Sequence, residues 1–144
     1  MYSTNIRDNK CLAECITVST DTNILHFIVD TGAMFTCCNY SLFDVHLKEE
    51  TIKRNETKYL GGFVKGFPVT FYKYSLKQFT IGTIDMGEQD IWITFDKRVT
   101  DTVLGMDILK QVIMITNPYE QKIYFCKDAD DYGRNFQLKV GAEK

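Results

Sequence analysis

Short runs of apolar and β-branched residues, separated by polar or glycine-containing turns, recur along most of the chain. Runs of this length, either alternating or continuously apolar, are typical of β-strands. They predict strands over residues 15–19, 24–29, 36–38, 67–76, 79–82, 90–95, 112–116, 122–126 and 136–140. The 90–95 run alternates with a period of two, and Pro68 indicates that the 67–76 strand begins at a sheet edge.

Two short segments have helical character instead. Ser41 has the features of a helix N-cap, with Asp44 completing a weak capping box, and residues 107–111 predict one or two helical turns. The charged segment 48–58 is expected to be a solvated loop or a helix end. Many short strands with so little helix predict an all-β fold of closed or sandwich type.

Length and charge restrict the possible functions. The chain has 144 residues and a formal net charge of −2. This length predicts one domain that buries most of the surface of the unfolded chain. The small net charge argues against a nucleic-acid or anionic-membrane partner. No apolar run approaches the ~20 residues of a membrane helix, and no secretion signal is expected at the N-terminus.

The cysteines indicate the redox environment. There are five, an odd number, and two of them are adjacent, which argues against a disulfide framework: Cys11, Cys15, Cys37, Cys38 and Cys126. Reduced thiols predict a cytoplasmic location. A metal site built from the first four is an alternative, although their spacing matches no usual ligand motif. Half-buried structural thiols are the simpler interpretation.

One acidic residue stands out against the strand pattern. Asp30 directly follows the apolar run 27–29 and precedes Thr31, Gly32 and Ala33. Burying a charge is costly unless something compensates it, so a carboxylate at the end of a core strand is a candidate functional group. An aspartate that is merely solvated in a turn explains the same four residues equally well.

A second motif favours the functional interpretation. Residues 103–109 read Val-Leu-Gly-Met-Asp-Ile-Leu, an apolar strand end, a glycine and a helix start. Asp-Thr-Gly-Ala followed by this motif resembles the retroviral-type aspartic proteases, or retropepsins. The resemblance covers about 15–126 and implies a retropepsin-like barrel or sandwich with one or two short helices and a flap hairpin. Residues 127–144 are then a C-terminal extension of a single domain spanning 1–144.

The resemblance also implies a mechanism. Retropepsins hydrolyse peptide bonds with two aspartates, and this chain has one Asp-Thr-Gly. A homodimer is therefore implied, in which each copy supplies Asp30, Thr31 and Gly32. One carboxylate would take a proton from water while the other acid protonates the carbonyl oxygen. The implied substrate is a peptide or protein, and neither cofactor nor metal is needed.

Further residues acquire roles by matching positions in the family. The implied substrate-binding residues are Ile28, Ala33, Met34, Phe35, Tyr59, Gly61, Gly62, Asp101 and Val103. Leu104 and Gly105 would pack behind Asp30, and Asp107 would cap or anchor the following helix. Residues 59–66, which contain three glycines, would form the flap, although glycines alone also fit an ordinary hairpin.

Two features depart from the family pattern. Met34 stands where many retropepsins carry a polar residue that holds the substrate backbone, and the chain ends do not resemble the short strands that join the viral dimers. A non-catalytic dimeric module that binds peptides or proteins in the same cleft is therefore an alternative function.

Overall fold

The computed structural model describes residues 1–43 and 48–137. Strands dominate it: Tyr2–Arg7 (β1), Lys10–Val18 (β2), Thr22–Val29 (β3), Cys37–Asn39 (β4), Thr57–Val64 (β5), Phe67–Leu76 (β6), Gln78–Ile81 (β7), Ile84–Asp85 (β8), Gln89–Thr94 (β9), Val103–Leu104 (β10), Ile113–Asn117 (β11) and Lys122–Cys126 (β12). The α-helices are Glu49–Ile52 (α1), Met106–Leu109 (α2) and Ala129–Tyr132 (α3). A 3-10 turn spans Tyr40–Leu42, and a π-helical turn spans Gly133–Gln137. The all-β prediction is confirmed.

The strands form one mixed sheet. Its order is β11-β12-β1-β2-β3-β10-β4-β9-β6-β5, and β7 pairs with both β2 and β8. Most neighbours are antiparallel, but β10 runs parallel to β3 and β9 runs parallel to β4. Parallel neighbours need long connections. The pairing of β10 with β3 therefore brings the end of β3 beside a segment that is distant in the sequence.

Alternation in β2 shows how the sequence sets one face of the sheet. Cys11, Ala13, Cys15 and Thr17 are buried, whereas Leu12 and its alternating neighbours point outward. Successive strand side chains point to opposite faces, so the inward set joins the main core. That core also contains Phe27 from the antiparallel partner β3.

A second, smaller core lies under the β5–β6 hairpin. Its buried members are Cys37, Val69, Phe71, Trp92 and Val99. The strand predicted at 90–95 is present as β9, and this second core explains why its burial does not alternate. Ile91 and Ile93 enter the main core while Trp92 enters the smaller one, so β9 is buried on both faces.

Some local predictions change in the structure. Asn39, not Ser41, caps the 3-10 turn, because its side-chain oxygen accepts a hydrogen bond from the Ser41 amide at 3.0 Å. Asp44 and the rest of that predicted helix, 44–47, lie outside the described residues. The predicted strand 136–140 is wrong at its start, which belongs to the π-helical turn, and its remainder is also outside.

The N-terminal strand was missed, since residues 2–7 are mostly polar. All of its residues pair with strands of the same chain, Tyr2 to Asn5 with β12 and Ile6 to Arg7 with β2. The described parts of the chain contain no helix that is long and apolar enough to cross a bilayer. All five cysteines are buried and free.

Candidate active site

Asp30 lies immediately after β3, where the parallel crossover holds it. Val29 pairs with Leu104, and the Asp30 amide donates a hydrogen bond to the Leu104 carbonyl at 3.0 Å. Leu104 is fully buried, whereas the Asp30 side chain is exposed. The backbone of Asp30 is thus fixed by the core while its carboxylate faces solvent.

The next residues fold back on the Asp30 carboxylate. The Gly32 amide donates to Asp30 Oδ1 at 2.9 Å, and the Ala33 amide donates to the Asp30 carbonyl at 3.2 Å. A Cβ atom on residue 32 would lie only 3.2 Å from Oδ1. Glycine here lets a backbone donor approach the carboxylate closely, which orients it.

Helix α2 anchors this loop through two backbone hydrogen bonds. The Met106 amide donates to the Ala33 carbonyl at 2.8 Å, and the Asp107 amide donates to the Met34 carbonyl at 3.1 Å. These are amides of the first helical turn, which have no partner inside the helix. The loop carbonyls therefore satisfy the helix, and the helix in turn fixes the position of the loop.

Thr36 and Asp107 form the second anchor. Thr36 Oγ1 donates to Asp107 Oδ1 at 2.7 Å, and the Thr36 amide donates to Asp107 Oδ2 at 3.1 Å. The Gly105 amide donates back to Thr36 Oγ1 at 3.1 Å. Asp107 also accepts from the Ile108 amide at 2.9 Å, so it anchors both the helix and the loop. Sequence reasoning missed Thr36, although a polar residue inside a buried strand is a usable signal.

Gly105 lies in close contact with the backbone of Phe35. A Cβ there would come within 2.5 Å of the Phe35 carbonyl oxygen and 2.9 Å of the Phe35 amide nitrogen. The glycine is required because the backbone after the Asp30 loop crosses directly over it. Leu104 contacts Asp30 through its carbonyl, which accepts the hydrogen bond from the Asp30 amide, and the packing of Leu104 and Gly105 behind Asp30 stays a prediction.

A pocket of about 220 Å³ lies between this loop and the β5–β6 hairpin. Its lining residues are Gly32, Ala33, Met34, Phe35, Cys37, Leu60, Gly61 and Phe63. Four residues expected to bind substrate are thus brought together: Ala33, Met34, Phe35 and Gly61. Sequence reasoning missed the strand residues Cys37, Leu60 and Phe63, whose direction depends on how the strands pair.

The remaining candidates lie elsewhere. Ile28 lines a separate groove of about 950 Å³ on the outer face of β1, β2 and β3. Tyr59 is 72% exposed on the hairpin, whereas Val103 is only 7% exposed within β10. Asp101 is exposed ahead of β10. Thr31 is also exposed, beside Asp30. Their roles stay predictions.

The hairpin differs in detail from the predicted glycine tip. Its turn lies at Lys65 and Gly66, and Gly66 has a φ of 82°. Gly61 and Gly62 lie within β5 instead, where the pairing with β6 shifts between Leu60 and Val64. Gly62 has a φ of 93°, which a residue with a side chain rarely adopts. The irregularity turns this stretch of β5 toward the pocket.

The cysteines do not form a separate site. In the described residues, 1–43 and 48–137, no three Cys, His, Asp or Glu side chains converge to hold a metal ion. Burial raises the pKa of the Cys37 thiol to about 12, with a further contribution from the Asp107 carboxylate. Cys37 therefore contributes a neutral, weakly polar wall to the pocket.

Comparison with known proteins agrees with this arrangement. The family model described as aspartyl protease matches residues 16–108, which include the Asp30 loop, the hairpin and most of α2. The chain belongs to the aspartyl protease family. No curated protein sequence matches the chain.

A solved structure shares the fold of this aspartyl protease family member. It is a retropepsin-like aspartic protease from Rickettsia conorii, with a TM-score of 0.62 and 13% sequence identity. The alignment covers 86% of this chain and 88% of the other. At this identity the likeness establishes the retropepsin-like fold, and the function of the site has to be argued from its own residues.

Proposed function

We propose that the protein is an aspartic endopeptidase that acts as a homodimer. The observation that carries the proposal is the Asp30 loop. An exposed carboxylate is held by the Gly32 amide at 2.9 Å and by a backbone that is hydrogen-bonded to the buried Leu104. Preorganised acids at the edge of a pocket are what general acid-base hydrolysis requires.

The second acid comes from another copy of the chain. One chain carries one Asp-Thr-Gly sequence, and the anchoring role of Asp107 leaves its carboxylate occupied by Thr36 and Ile108. A two-fold axis beside Asp30 would place two identical carboxylates about 3 Å apart, where they share one proton, as is known for aspartic proteases. Water between them loses a proton to one carboxylate while the other protonates the peptide carbonyl.

The hairpin supplies the cover of the cleft. Gly61 and Leu60 line the pocket opposite the Asp30 loop, so a peptide in the pocket would lie between β5 and the loop. An extended peptide presents alternate side chains to pockets and its backbone to neighbouring strands. Closure of the hairpin as a flap would exclude water from the reacting carbonyl. We further propose that one domain spans the chain, and that it acts in the cytoplasm.

Digestion of a peptide library tests the proposal. Purified protein is expected to cleave peptides, and a statine-type peptide inhibitor is expected to block the cleavage. Asp30→Asn is expected to abolish cleavage while fold and sedimentation stay unchanged. Asp130→Asn, an exposed aspartate in α3, is the matched control and should keep full activity.

Mixing the two proteins tests the dimer separately. After subunit exchange, an equal mixture of parent and Asp30→Asn chains should retain about one quarter of the activity of the same total amount of parent, instead of one half. Retention of one half would show that each chain acts alone. Binding of the inhibitor without any cleavage by the parent would instead favour the non-catalytic peptide-binding module.

A further inference from the structure

A lysine joins the two walls of the candidate cleft. Lys58 is half-buried on β5, and its Nζ lies 4.7 Å from the centroid of the Phe35 ring and 5.0 Å from that of the Trp92 ring. The two rings meet edge to face with centroids 5.8 Å apart. The ammonium group therefore contacts an aromatic pair that belongs to the body of the protein, not to the hairpin.

Among the described residues, the Lys58 ammonium contacts these two rings and no carboxylate lies within ion-pair distance of it. The other strand lysine of the hairpin, Lys73, differs, since its Nζ lies 3.6 Å from Glu56 and 3.5 Å from Asp90. A cation that is partly removed from water and has no carboxylate partner gains its main attraction from aromatic faces. Lys58 therefore connects β5 to Phe35 and Trp92 through a cation–π contact.

The position of Phe35 gives this contact a consequence for the cleft. Phe35 lines the 220 Å³ pocket, and β5 contributes Leu60 and Gly61 to the same lining. Lys58 and Leu60 are alternate residues of β5, so they share one face of the strand. The cation–π contact thus connects the loop wall of the pocket to its hairpin wall.

We propose that Lys58 is a positioning residue for substrate binding. It holds the base of the hairpin against Phe35 and so sets the separation of the two pocket walls. Lys58 is not part of the pocket lining and does not need to touch the substrate. The proposal rests on the proposed endopeptidase function, because it concerns how that cleft is shaped.

The effect should appear in KM, not in kcat. Without the cation, Phe35 and β5 are no longer held together, so substrate binds to a looser cleft while the Asp30 loop is unchanged. Lys58→Met keeps an unbranched apolar side chain and removes the charge. We expect KM for a cleaved peptide to rise about three- to tenfold, the range of a partly buried cation–π contact, with kcat within about twofold. Lys58→Arg should recover most of the loss, because arginine also binds aromatic faces.

Tryptophan fluorescence gives a readout that does not depend on cleavage. Trp92 is the single tryptophan of the chain, so a change in its emission reports loss of the ammonium directly. Lys58→Met should alter Trp92 emission and weaken binding of a statine-type peptide about three- to tenfold, as KM does. Lys77→Met is the control, since Lys77 is exposed just after β6 and should change neither property.

The two proposals fail in different ways. If the parent cleaves no peptide, the endopeptidase function is wrong, and the inference about Lys58 is still judged by Trp92 emission and inhibitor binding. If the parent cleaves peptides but Lys58→Met binds substrate and inhibitor like the parent, the inference is wrong. It is also wrong if Lys58→Arg is as impaired as Lys58→Met. Should Lys58→Met fail to fold, Lys58→Gln, which also removes the charge, must raise KM comparably, and parent-like binding of substrate and inhibitor by Lys58→Gln would overturn the inference.

Discussion

Replacing Thr36 by valine should destabilise the protein far more than its conservative chemistry suggests. The hydroxyl of Thr36 donates to the Asp107 carboxylate at 2.7 Å and accepts from the Gly105 amide at 3.1 Å. Valine has nearly the same shape but can make neither hydrogen bond. The variant would therefore leave the buried Gly105 amide without this partner and remove one donor from Asp107.

The magnitude follows from these two losses. A hydrogen bond to a charged group contributes roughly 1.5–3 kcal/mol, and an unsatisfied buried donor costs about 1–3 kcal/mol. After a small gain from burying the extra methyl group, we expect Thr36→Val to lower the free energy of unfolding by about 3–5 kcal/mol. This is a large fraction of the roughly 5–15 kcal/mol typical of a folded domain.

The chain contains a matched control for this substitution. Thr17 on β2 is as deeply buried as Thr36, each being 0% exposed, yet its hydroxyl has no hydrogen-bond partner among the described residues. Thr17→Val removes a buried polar group that has no partner, so it should be neutral or stabilising by roughly 1 kcal/mol. The two variants change the same atoms at equal burial, and the hydrogen bonds are what differ.

Urea unfolding of the parent and both variants, followed by Trp92 fluorescence and by circular dichroism, measures the difference. Similar midpoints and slopes for Thr36→Val and Thr17→Val would refute the reasoning, since burial alone would then explain both. Peptide cleavage by Thr36→Val should also fall, because the loop that carries Asp30 is anchored through this threonine.

Two further predictions concern single positions. Gly105→Ala should lower the free energy of unfolding by about 3 kcal/mol and reduce cleavage, because the new methyl group would meet the Phe35 backbone at 2.5 Å; parent-like stability in urea would contradict this. Hydrogen bonds from the side chain and the amide of Arg98 lower the pKa of Asp96 from 3.8 to about 2. The pair therefore stabilises the fold above pH 3.8, and this contribution is lost as the pH falls through about 2. In thermal melts between pH 7 and acid pH, the melting temperature of Asp96→Asn should fall less than that of the parent. Equal falls would show that the Asp96–Arg98 pair does not contribute to the pH dependence of stability.

Strand runs and the two motifs were sufficient to predict the fold class and the Asp30 loop. The signals were local: an apolar run into Asp-Thr-Gly-Ala, and a glycine before the Asp107 helix. β1 was not predictable, since its mostly polar residues form a strand only because β12 and β2 lie beside it. The burial of β9 on both faces was not predictable for a similar reason, since a second core covers its other face.

The pocket walls were only partly predictable. Residues adjacent to the motif, such as Met34 and Phe35, could be placed because they follow Asp30 directly. Leu60 and Phe63 could not be placed, since the irregular pairing of β5 with β6 decides which residues of this stretch face the pocket. Lys58 gave no signal at all, because an isolated lysine in a strand is normally a surface residue.

The position of β1 has a consequence for the proposed homodimer. Every residue of β1 is paired within its own chain, so the proposed association would require no exchange of this strand between copies. The sheet of the described residues is formed by strands of one chain. Separation by dilution should therefore yield folded single subunits instead of unfolded chains, and the amount of protein present would itself govern how many complete cleavage centres exist.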